Sequence, residues 1–249
     1  GVEVEICCDS AESCHEAVLG GADRIELCSA LDLGGLTPPY SLIKWAIASL
    51  PIPVHVLIRP RPKHFHYSPQ ETELMLEDIR VIKSFGGPGV VVGALTSEGY
   101  IDYDRVQLLV DEAKPMEVTF HRAFDVSFGD HRDIMHKLYN IGITRLLTSG
   151  RCRSAVEGVT LLADLISSSP ANFTVMPGCG ITPHNCLHLL DRTGALAIHA
   201  SASADITDDI HYANNGVYMG KETGREDMRR VTSADIVSQL KSLCNRPRI

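Results

Sequence analysis

Short apolar runs alternate with longer helix-like segments along the whole chain. The apolar runs predict eight strands, at residues 2–8, 24–29, 53–59, 89–95, 117–121, 145–148, 173–176 and 196–200. The segments between and after them carry apolar residues with the period of an amphipathic helix. They predict eight helices, near residues 10–20, 39–49, 69–85, 102–113, 130–140, 153–168, 182–192 and 232–244. One strand–helix unit is therefore predicted to occur eight times.

Local signals mark several of the helix ends. Ser10, Ser68 and Thr182 precede periodic segments and can cap a first helical turn. Pro69 and Pro183 follow two of them at the position where proline suits a helix best. Glycines directly follow several of the periodic stretches, as expected where a helix ends.

The character of the strands indicates the fold class. Their apolar residues are continuous rather than alternating, which is typical of a parallel sheet covered by helices on both faces. At 249 residues, eight such units favour a single closed (β/α)8 barrel of the TIM type, with an open doubly wound sheet as the alternative. No linker or low-complexity segment divides the chain, so one domain over residues 1–249 is predicted.

Charge and hydropathy exclude two classes of partner. The chain has 23 Lys and Arg against 31 Asp and Glu, which gives a formal net charge of −8. Because no basic cluster interrupts this acidic composition, nucleic-acid binding is not expected. The longest apolar runs fall far short of the roughly 18 residues of a membrane-spanning helix, so no membrane partner is predicted.

The cysteines indicate a reducing compartment. There are eight of them, without a C-x-x-C pair, in a chain long enough to fold without disulfides. No secretory signal opens the given sequence. We therefore expect reduced thiols and a cytoplasmic location, with a nuclear one also open.

Two neighbouring strands repeat the pattern Glu-x-Cys near their carboxyl ends, where barrels carry their active sites. Glu5 and Cys7 share one face of the first strand, and Glu26 and Cys28 share one face of the second. If these faces point inward, two carboxylates lie one layer below two thiols at the barrel mouth. The thiols are either small buried side chains or ligands for a soft ion such as Cu(I).

Buried carboxylates need partners, and Arg59 and Arg61 after the third strand are the predicted ones. His121 ends the fifth strand. One interpretation makes Glu26 or His121 a general acid or base and the arginines the groups that orient an anion. The other is a structural ion network of Glu26, Arg59 and His121 that fills a polar barrel core.

Small and hydroxyl residues mark the ends of the last strands. Gly178, Gly180 and Ser201 stand where barrels often bind phosphate, and a helix beginning at Thr182 would add its positive end. Tight turns explain the same glycines without a ligand. The pattern predicts an anion site but does not require one.

Seven segments together resemble the CutC copper homeostasis family in their order and spacing. They are Gly-Ala-Asp-Arg-Ile-Glu-Leu-Cys-Ser at 21–29, Gly-Gly-Leu-Thr-Pro at 34–38, Ile-Arg-Pro-Arg at 58–61, Val-Gly-Ala-Leu at 92–95, Thr-Phe-His-Arg-Ala-Phe-Asp at 119–125, Leu-Thr-Ser-Gly at 147–150 and Met-Pro-Gly at 176–178. Leu36 and Cys179 depart from the family pattern, where threonine and glycine are usual.

The resemblance implies a TIM-type barrel, a cytoplasmic location, self-association, and a copper homeostasis role with Cu(I) binding or trafficking but no organic cofactor. The thiols that the family associates with copper correspond to Cys7 and Cys28. The polar mouth of the family corresponds to Glu26, Arg59, His121, Arg122, Asp125 and His199.

Two hypotheses of different class follow. A copper protein needs the thiols of Cys7 and Cys28. An acid–base enzyme acting on a small anionic molecule, including a phosphorylated one, needs Glu26, Arg59 and His121.

Overall fold

The computed structural model describes residues 1–212 and 216–247. Its strands are β1 (Glu3–Cys8), β2 (Arg24–Leu27), β3 (Val54–Leu57), β4 (Gly89–Val92), β5 (Glu117–Phe120), β6 (Arg145–Thr148), β7 (Thr174–Pro177), β8 (Ala197–Ala200), β9 (Ser203–Thr207) and β10 (Met228–Thr232). Its α-helices are α1 (Ala11–Gly20), α2 (Tyr40–Ser49), α3 (Pro69–Ser84), α4 (Tyr103–Ala113), α5 (His131–Ile141), α6 (Val159–Ser168), α7 (Cys186–Thr193) and α8 (Ala234–Cys244).

The first eight strands form one parallel sheet that curves into a nearly closed barrel. Its order, β7-β6-β5-β4-β3-β2-β1-β8, follows the chain and brings the last strand beside the first. The two remaining edges meet as well, because a Cβ placed on Gly178 after β7 would lie 3.3 Å from the Cβ of His199 on β8. The (β/α)8 barrel is confirmed. An open doubly wound sheet, whose strand order reverses at its centre, is not what the chain forms.

Side chains on the two faces of the strands have different surroundings. Outward-facing residues such as Ile6, Ile25 and Val56 are fully buried beneath the helices and belong to the main apolar core. The inward-facing positions of β1 and β2 carry charged groups and thiols instead, and they too are buried. The helices therefore cover an apolar layer, and the barrel interior is largely polar on this side.

Several helices begin where the capping signals predict. Ser10 caps α1 by accepting a hydrogen bond from the amide of Ser13 at 3.1 Å. Ser68 and Glu71 form a reciprocal capping box at the start of α3, with Pro69 in its first turn. Over residues 1–212 and 216–247, no helix is long and apolar enough to cross a membrane.

Two helices begin later than predicted. The sequence predicts helices from residues 153 and 182, but α6 begins at Val159 and α7 at Cys186. Before α7, the side chain of Asn185 accepts from the amide of Thr182 at 2.9 Å, so a side-chain-bonded turn replaces the first helical turn. Before α6, Gly158 packs directly on the backbone after β6 and ends the preceding loop there.

The antiparallel hairpin β9–β10 is absent from the sequence prediction. Its strands are mostly half-exposed or exposed, and their apolar face is limited to Ala204, Ile206 and Val231, so hydrophobic periodicity indicates them only weakly. It is attached to α1, where Arg229 pairs with Glu12 at 3.2 Å and the amide of Thr232 donates to Ser13 Oγ at 3.1 Å. The chain thus adds a two-stranded element between β8 and α8.

Candidate functional site

Two carboxylates and two thiols face into the barrel from the neighbouring strands β1 and β2, as the side-chain alternation predicts. Cys7 lies opposite Glu26 in the register of the two strands, and Glu5 lies opposite Arg24. Residues Glu5, Glu26 and Cys7 are 1%, 7% and 8% exposed. Cys28 is fully buried at the end of β2, in a small internal cluster with apolar side chains of β3 and β4.

A chain of charged hydrogen bonds crosses the barrel interior. Arg24 Nε donates to Glu5 Oε2 at 2.5 Å, and Glu5 Oε1 lies 2.7 Å from His199 Nδ1. His199 projects from β8, where it lies opposite Glu5 in the β1–β8 register. A carboxylate bonded to one imidazole nitrogen fixes the orientation of the ring. Glu5 therefore holds His199, and Arg24 holds Glu5.

This arrangement favours the charged forms of both Glu5 and His199. Burial alone would raise the pKa of Glu5, but the hydrogen bond with His199 and the charge of Arg24 lower it well below its ordinary value. Burial opposes the charge on His199, yet the negative charge of Glu26 and hydrogen bonds with Cys7 and Glu5 raise its pKa well above the usual one. The pair is ionised at neutral pH.

Glu26 is the exception in this cluster, because the hydrogen bonds of Arg24 and His199 go to Glu5 and none among the described residues goes to the Glu26 carboxylate. Burial raises the pKa of Glu26 to about 7, with the positive charges of His199 and Arg24 opposing this and the negative charge of Glu5 adding to it. Its oxygen, a carboxylate oxygen of Glu5 and a ring nitrogen of His199 all lie within 4.8 Å of one another. Near neutral pH, Glu26 can therefore either give or take a proton beside His199.

The two mouth thiols have weak partners. Cys7 Sγ lies 3.7 Å from the carbonyl oxygen of Ala200, and Cys28 Sγ lies 3.5 Å from that of Cys8. Burial raises the pKa of Cys28 well above its usual value, and the charges of Glu26 and Cys7 raise it further. The cysteines are thiols rather than disulfides, so both mouth thiols can serve as ligands once deprotonated.

Arg59 and Arg61 do not pair with the barrel carboxylates, so that prediction is wrong. Arg59 Nη1 donates to the carbonyl oxygens of Leu33 and Gly35, both at 2.9 Å, and Nη2 to that of Lys63 at 3.0 Å. Arg61 pairs with a glutamate of α3 outside the barrel. The arginine that pairs with a buried carboxylate is Arg24, which donates to Glu5. The alternation along β2 places Arg24 on the same inward face as Glu26.

His121 lies at the end of β5, apart from the Glu5–His199 cluster. Its Nδ1 accepts from the amide of Ala123 at 3.0 Å, which places the proton on Nε2, a buried atom with no partner in the described residues. Burial lowers the pKa of His121 to about 3, and the charges of Arg59 and Arg122 lower it further. His121 is therefore a neutral imidazole that can donate a hydrogen bond from Nε2.

Asp125 and Arg122 shape a loop at the same end of the barrel. Asp125 accepts from Thr148 Oγ1 at 2.6 Å, from the amide and hydroxyl of Ser149 at 2.9 and 3.0 Å, and from the amide of Arg151 at 3.0 Å. Arg122 Nε donates to it at 3.0 Å. Since these donors satisfy the carboxylate, Asp125 connects the loops after β5 and β6.

Gly178, Gly180 and Ser201 lie at the ends of β7 and β8. The amide of Gly178 donates to the carbonyl of Thr148 at 3.0 Å and is engaged within the barrel. Gly180 has a φ of +76°, and Ser201 is exposed. The helix α7 begins later than predicted. Its positively polarised amino-terminal end therefore lies farther along the chain from Gly178 and Gly180 than the sequence predicts. Gly180 and Ser201 remain predicted anion contacts.

Of the predicted site residues, the structure brings together Cys7, Glu26 and His199. Cys28 lies directly after the end of β2. It places Arg59 and His121, with Arg122 and Asp125, in the loops at another part of the mouth. The roles of Arg24 and Glu5 at the centre of the cluster are what sequence reasoning missed. The molecule is thus a (β/α)8 barrel with an ion-paired histidine, a buried free carboxylate and thiols inside its mouth.

Comparison with known proteins agrees with this architecture. The sequence model of the CutC family matches residues 2–204. The human copper homeostasis protein cutC homolog is 43% identical over 220 residues, covering 88% of this chain and 80% of that protein. A CutC family protein of Pasteurella multocida is 40% identical and covers 95% of this chain and 96% of its own. The chain belongs to the CutC family.

Solved structures show the same fold. A CutC protein of Streptococcus agalactiae superposes with a TM-score of 0.77 at 29% identity, covering 81% of this chain and 99% of that one. Thiamine phosphate pyrophosphorylase from Pyrococcus furiosus reaches a TM-score of 0.59 at 15% identity, with 98% and 95% of the two chains covered. The second likeness shows the barrel alone.

Proposed function

We propose that this protein acts in copper homeostasis by binding Cu(I) through Cys7 and Cys28. The observation that carries the proposal is the placement of these two thiols on the same inward face of hydrogen-bonded neighbouring strands, inside the mouth of a CutC family barrel. Thiolates are the donors that Cu(I) prefers, and two of them suffice for linear coordination. The human relative that carries copper homeostasis in its name supports the assignment.

The electrostatics of the mouth fit a cation that displaces protons. Burial and the charge of Glu26 raise the pKa of Cys28, so its thiol is protonated in the metal-free protein at neutral pH. Cu(I) then binds as the thiolate forms, and its affinity rises with pH. The carboxylates of Glu5 and Glu26 lie just below and favour a positive charge in this place.

The loop over Cys28 suits a protected site. Cys28 lies under Gly35, since a Cβ built there would be 3.9 Å from its Sγ. Gly34 and Gly35 adopt φ of +90° and +91°, and their loop is held by Arg59, which donates to its carbonyls. Such a cover excludes water and competing thiols from a bound Cu(I).

We further infer a cytoplasmic, self-associating protein.

Cu(I) affinity should depend on both thiols. Under anaerobic reducing conditions, we expect the parent protein to compete with a chromophoric Cu(I) chelator for one Cu(I) per chain. The Cys7→Ala, Cys28→Ala variant should compete at least about tenfold less well, because no soft donor pair remains. The measurement is the absorbance of the chelator complex as protein is added.

The matched control is Cys186→Ala, which removes a buried thiol of α7 outside the barrel. It should compete as the parent does. Equal competition by the parent and the double variant would remove Cys7 and Cys28 from the copper site.

A second candidate function is acid–base chemistry on a small anionic molecule. The observation that favours it is Glu26, a buried carboxyl group with a pKa of about 7 and no hydrogen-bond partner in the described residues, beside His199. An acid of this pKa is well matched to proton transfer near neutral pH. The Gly180 amide and Ser201 would contact the anion. This function needs Glu26 and His199 and is independent of Cys28.

A further inference from the structure

Three donor groups converge inside the barrel below the thiols. One carboxylate oxygen from Glu5, one from Glu26 and one ring nitrogen of His199 all lie within 4.8 Å of one another. They come from the adjacent strands β8, β1 and β2, so their backbones are held by the sheet. Carboxylate oxygen with imidazole nitrogen is a donor set that suits Zn²⁺ and its first-row neighbours, and it contains no soft sulfur.

The state of Glu26 separates this cluster from an ordinary network of ion pairs. The residue is 7% exposed, and none of the hydrogen bonds among the described residues goes to its carboxylate. Arg24 and His199 both direct their hydrogen bonds to Glu5 instead. A buried carboxylate without a partner is unfavourable, and a cation between the three donors would supply what it lacks.

The surroundings prepare the other two donors. Arg24 Nε fixes one oxygen of Glu5, and the other oxygen of Glu5 orients the imidazole of His199. A ligating histidine held by a carboxylate is the usual support of a metal site. The charges of Glu5, Glu26 and Arg24 sum to one negative charge. A divalent ion bound beside a neutral His199 would change this sum to one positive charge. An anionic further ligand from the mouth would then be favoured.

We propose that Glu5, Glu26 and His199 form a binding site for a divalent transition-metal ion of the Zn²⁺ type, distinct in its donors from the Cys7 and Cys28 pair. The site has three protein ligands, which leaves a fourth coordination position on the ion for water or a small molecule. It does not depend on copper binding by the thiols.

The test uses Zn²⁺ itself and two proteins, the parent chain and the Cys7→Ala, Cys28→Ala variant, which has no mouth thiols. Zn²⁺ affinity is measured by competition with a chromophoric Zn²⁺ indicator at pH 7.5. We expect both proteins to bind one Zn²⁺ per chain. Adding Glu26→Gln, or separately His199→Gln, should weaken Zn²⁺ binding at least about tenfold, because each removes a ligand. Glu77→Gln, the same substitution at an exposed carboxylate of the outer helix α3, should leave the affinity unchanged.

The outcomes separate this site from the copper site. Zn²⁺ binding that is retained in the Cys7→Ala, Cys28→Ala variant and lost when Glu26→Gln or His199→Gln is added to it supports the proposal whether or not Cys7 and Cys28 bind copper. Absence of Zn²⁺ binding by the thiol-free variant overturns it. Unchanged Zn²⁺ affinity in both Glu26→Gln and His199→Gln, each shown to be folded by its thermal unfolding, overturns it as well.

Discussion

Replacing Arg24 with methionine should lower the free energy of unfolding by about 3–5 kcal/mol, the usual effect of removing one partner of a buried ion pair. Arg24 is 5% exposed and Glu5 is 1% exposed, so the variant leaves the Glu5 carboxylate inside the barrel without its main counter-charge. Methionine keeps most of the side-chain volume. The lost stability therefore reports the charge rather than a cavity. The measurement is urea-induced unfolding at pH 7.

Arg153→Met is the matched control. Arg153 is 93% exposed and pairs with Glu157, four residues along the chain, at 3.6 Å. Surface ion pairs of this kind contribute little, so the variant should unfold within about 0.5 kcal/mol of the parent. If Arg24→Met were as stable as Arg153→Met, Glu5 would not depend on Arg24, and the proposed support of His199 would fail.

Glu26→Gln should stabilise the metal-free protein at alkaline pH and have little effect in acid. Burial raises the folded-state pKa of Glu26 to about 7 from its ordinary value of 4.5. The folded state therefore favours the protonated group, whose contribution to stability is complete below pH 4.5 and is lost as pH rises through 7. The variant stays neutral at every pH. Its free energy of unfolding, taken relative to that of the parent, should therefore be about 3 kcal/mol higher at pH 8 than at pH 4.5.

The measurement is the free energy of unfolding of parent and variant between pH 4.5 and 8, with a chelator present. Because the two proteins share all other ionisable side chains, the pH dependence of their difference reports Glu26 together with its effect on the pKa of the neighbouring His199. A pH-independent difference for Glu26→Gln would mean that Glu26 is ionised and solvated, contrary to its position.

The sequence predicts the barrel well, because its evidence is local. Eight apolar runs separated by capped amphipathic segments reproduce the strands and most of the helices. The alternation of side chains along β1 and β2 correctly places Glu5, Cys7, Glu26 and Cys28 on the inner face. The hairpin β9–β10 is the exception, because its apolar face is limited to Ala204, Ile206 and Val231.

The partners inside the site are less predictable, because they depend on the curvature of the sheet and on loop backbones. Arg59 binds carbonyl groups of the loops around it, and carbonyl groups carry no signal in the sequence. His199 reaches Glu5 only because β8 returns beside β1, across 194 positions of the chain. Arg24 lies two residues before Glu26, and alternation alone could have identified it.

The most direct test of copper binding by Cys7 and Cys28 is X-ray absorption at the copper edge of the Cu(I)-loaded protein, prepared without oxygen. We predict a first coordination shell of two sulfur atoms in the parent and in Cys186→Ala. In Cys28→Ala, the shell should contain fewer sulfur atoms from the protein. A shell of nitrogen and oxygen alone, or a sulfur shell that is the same in the parent and in Cys28→Ala, would contradict the account.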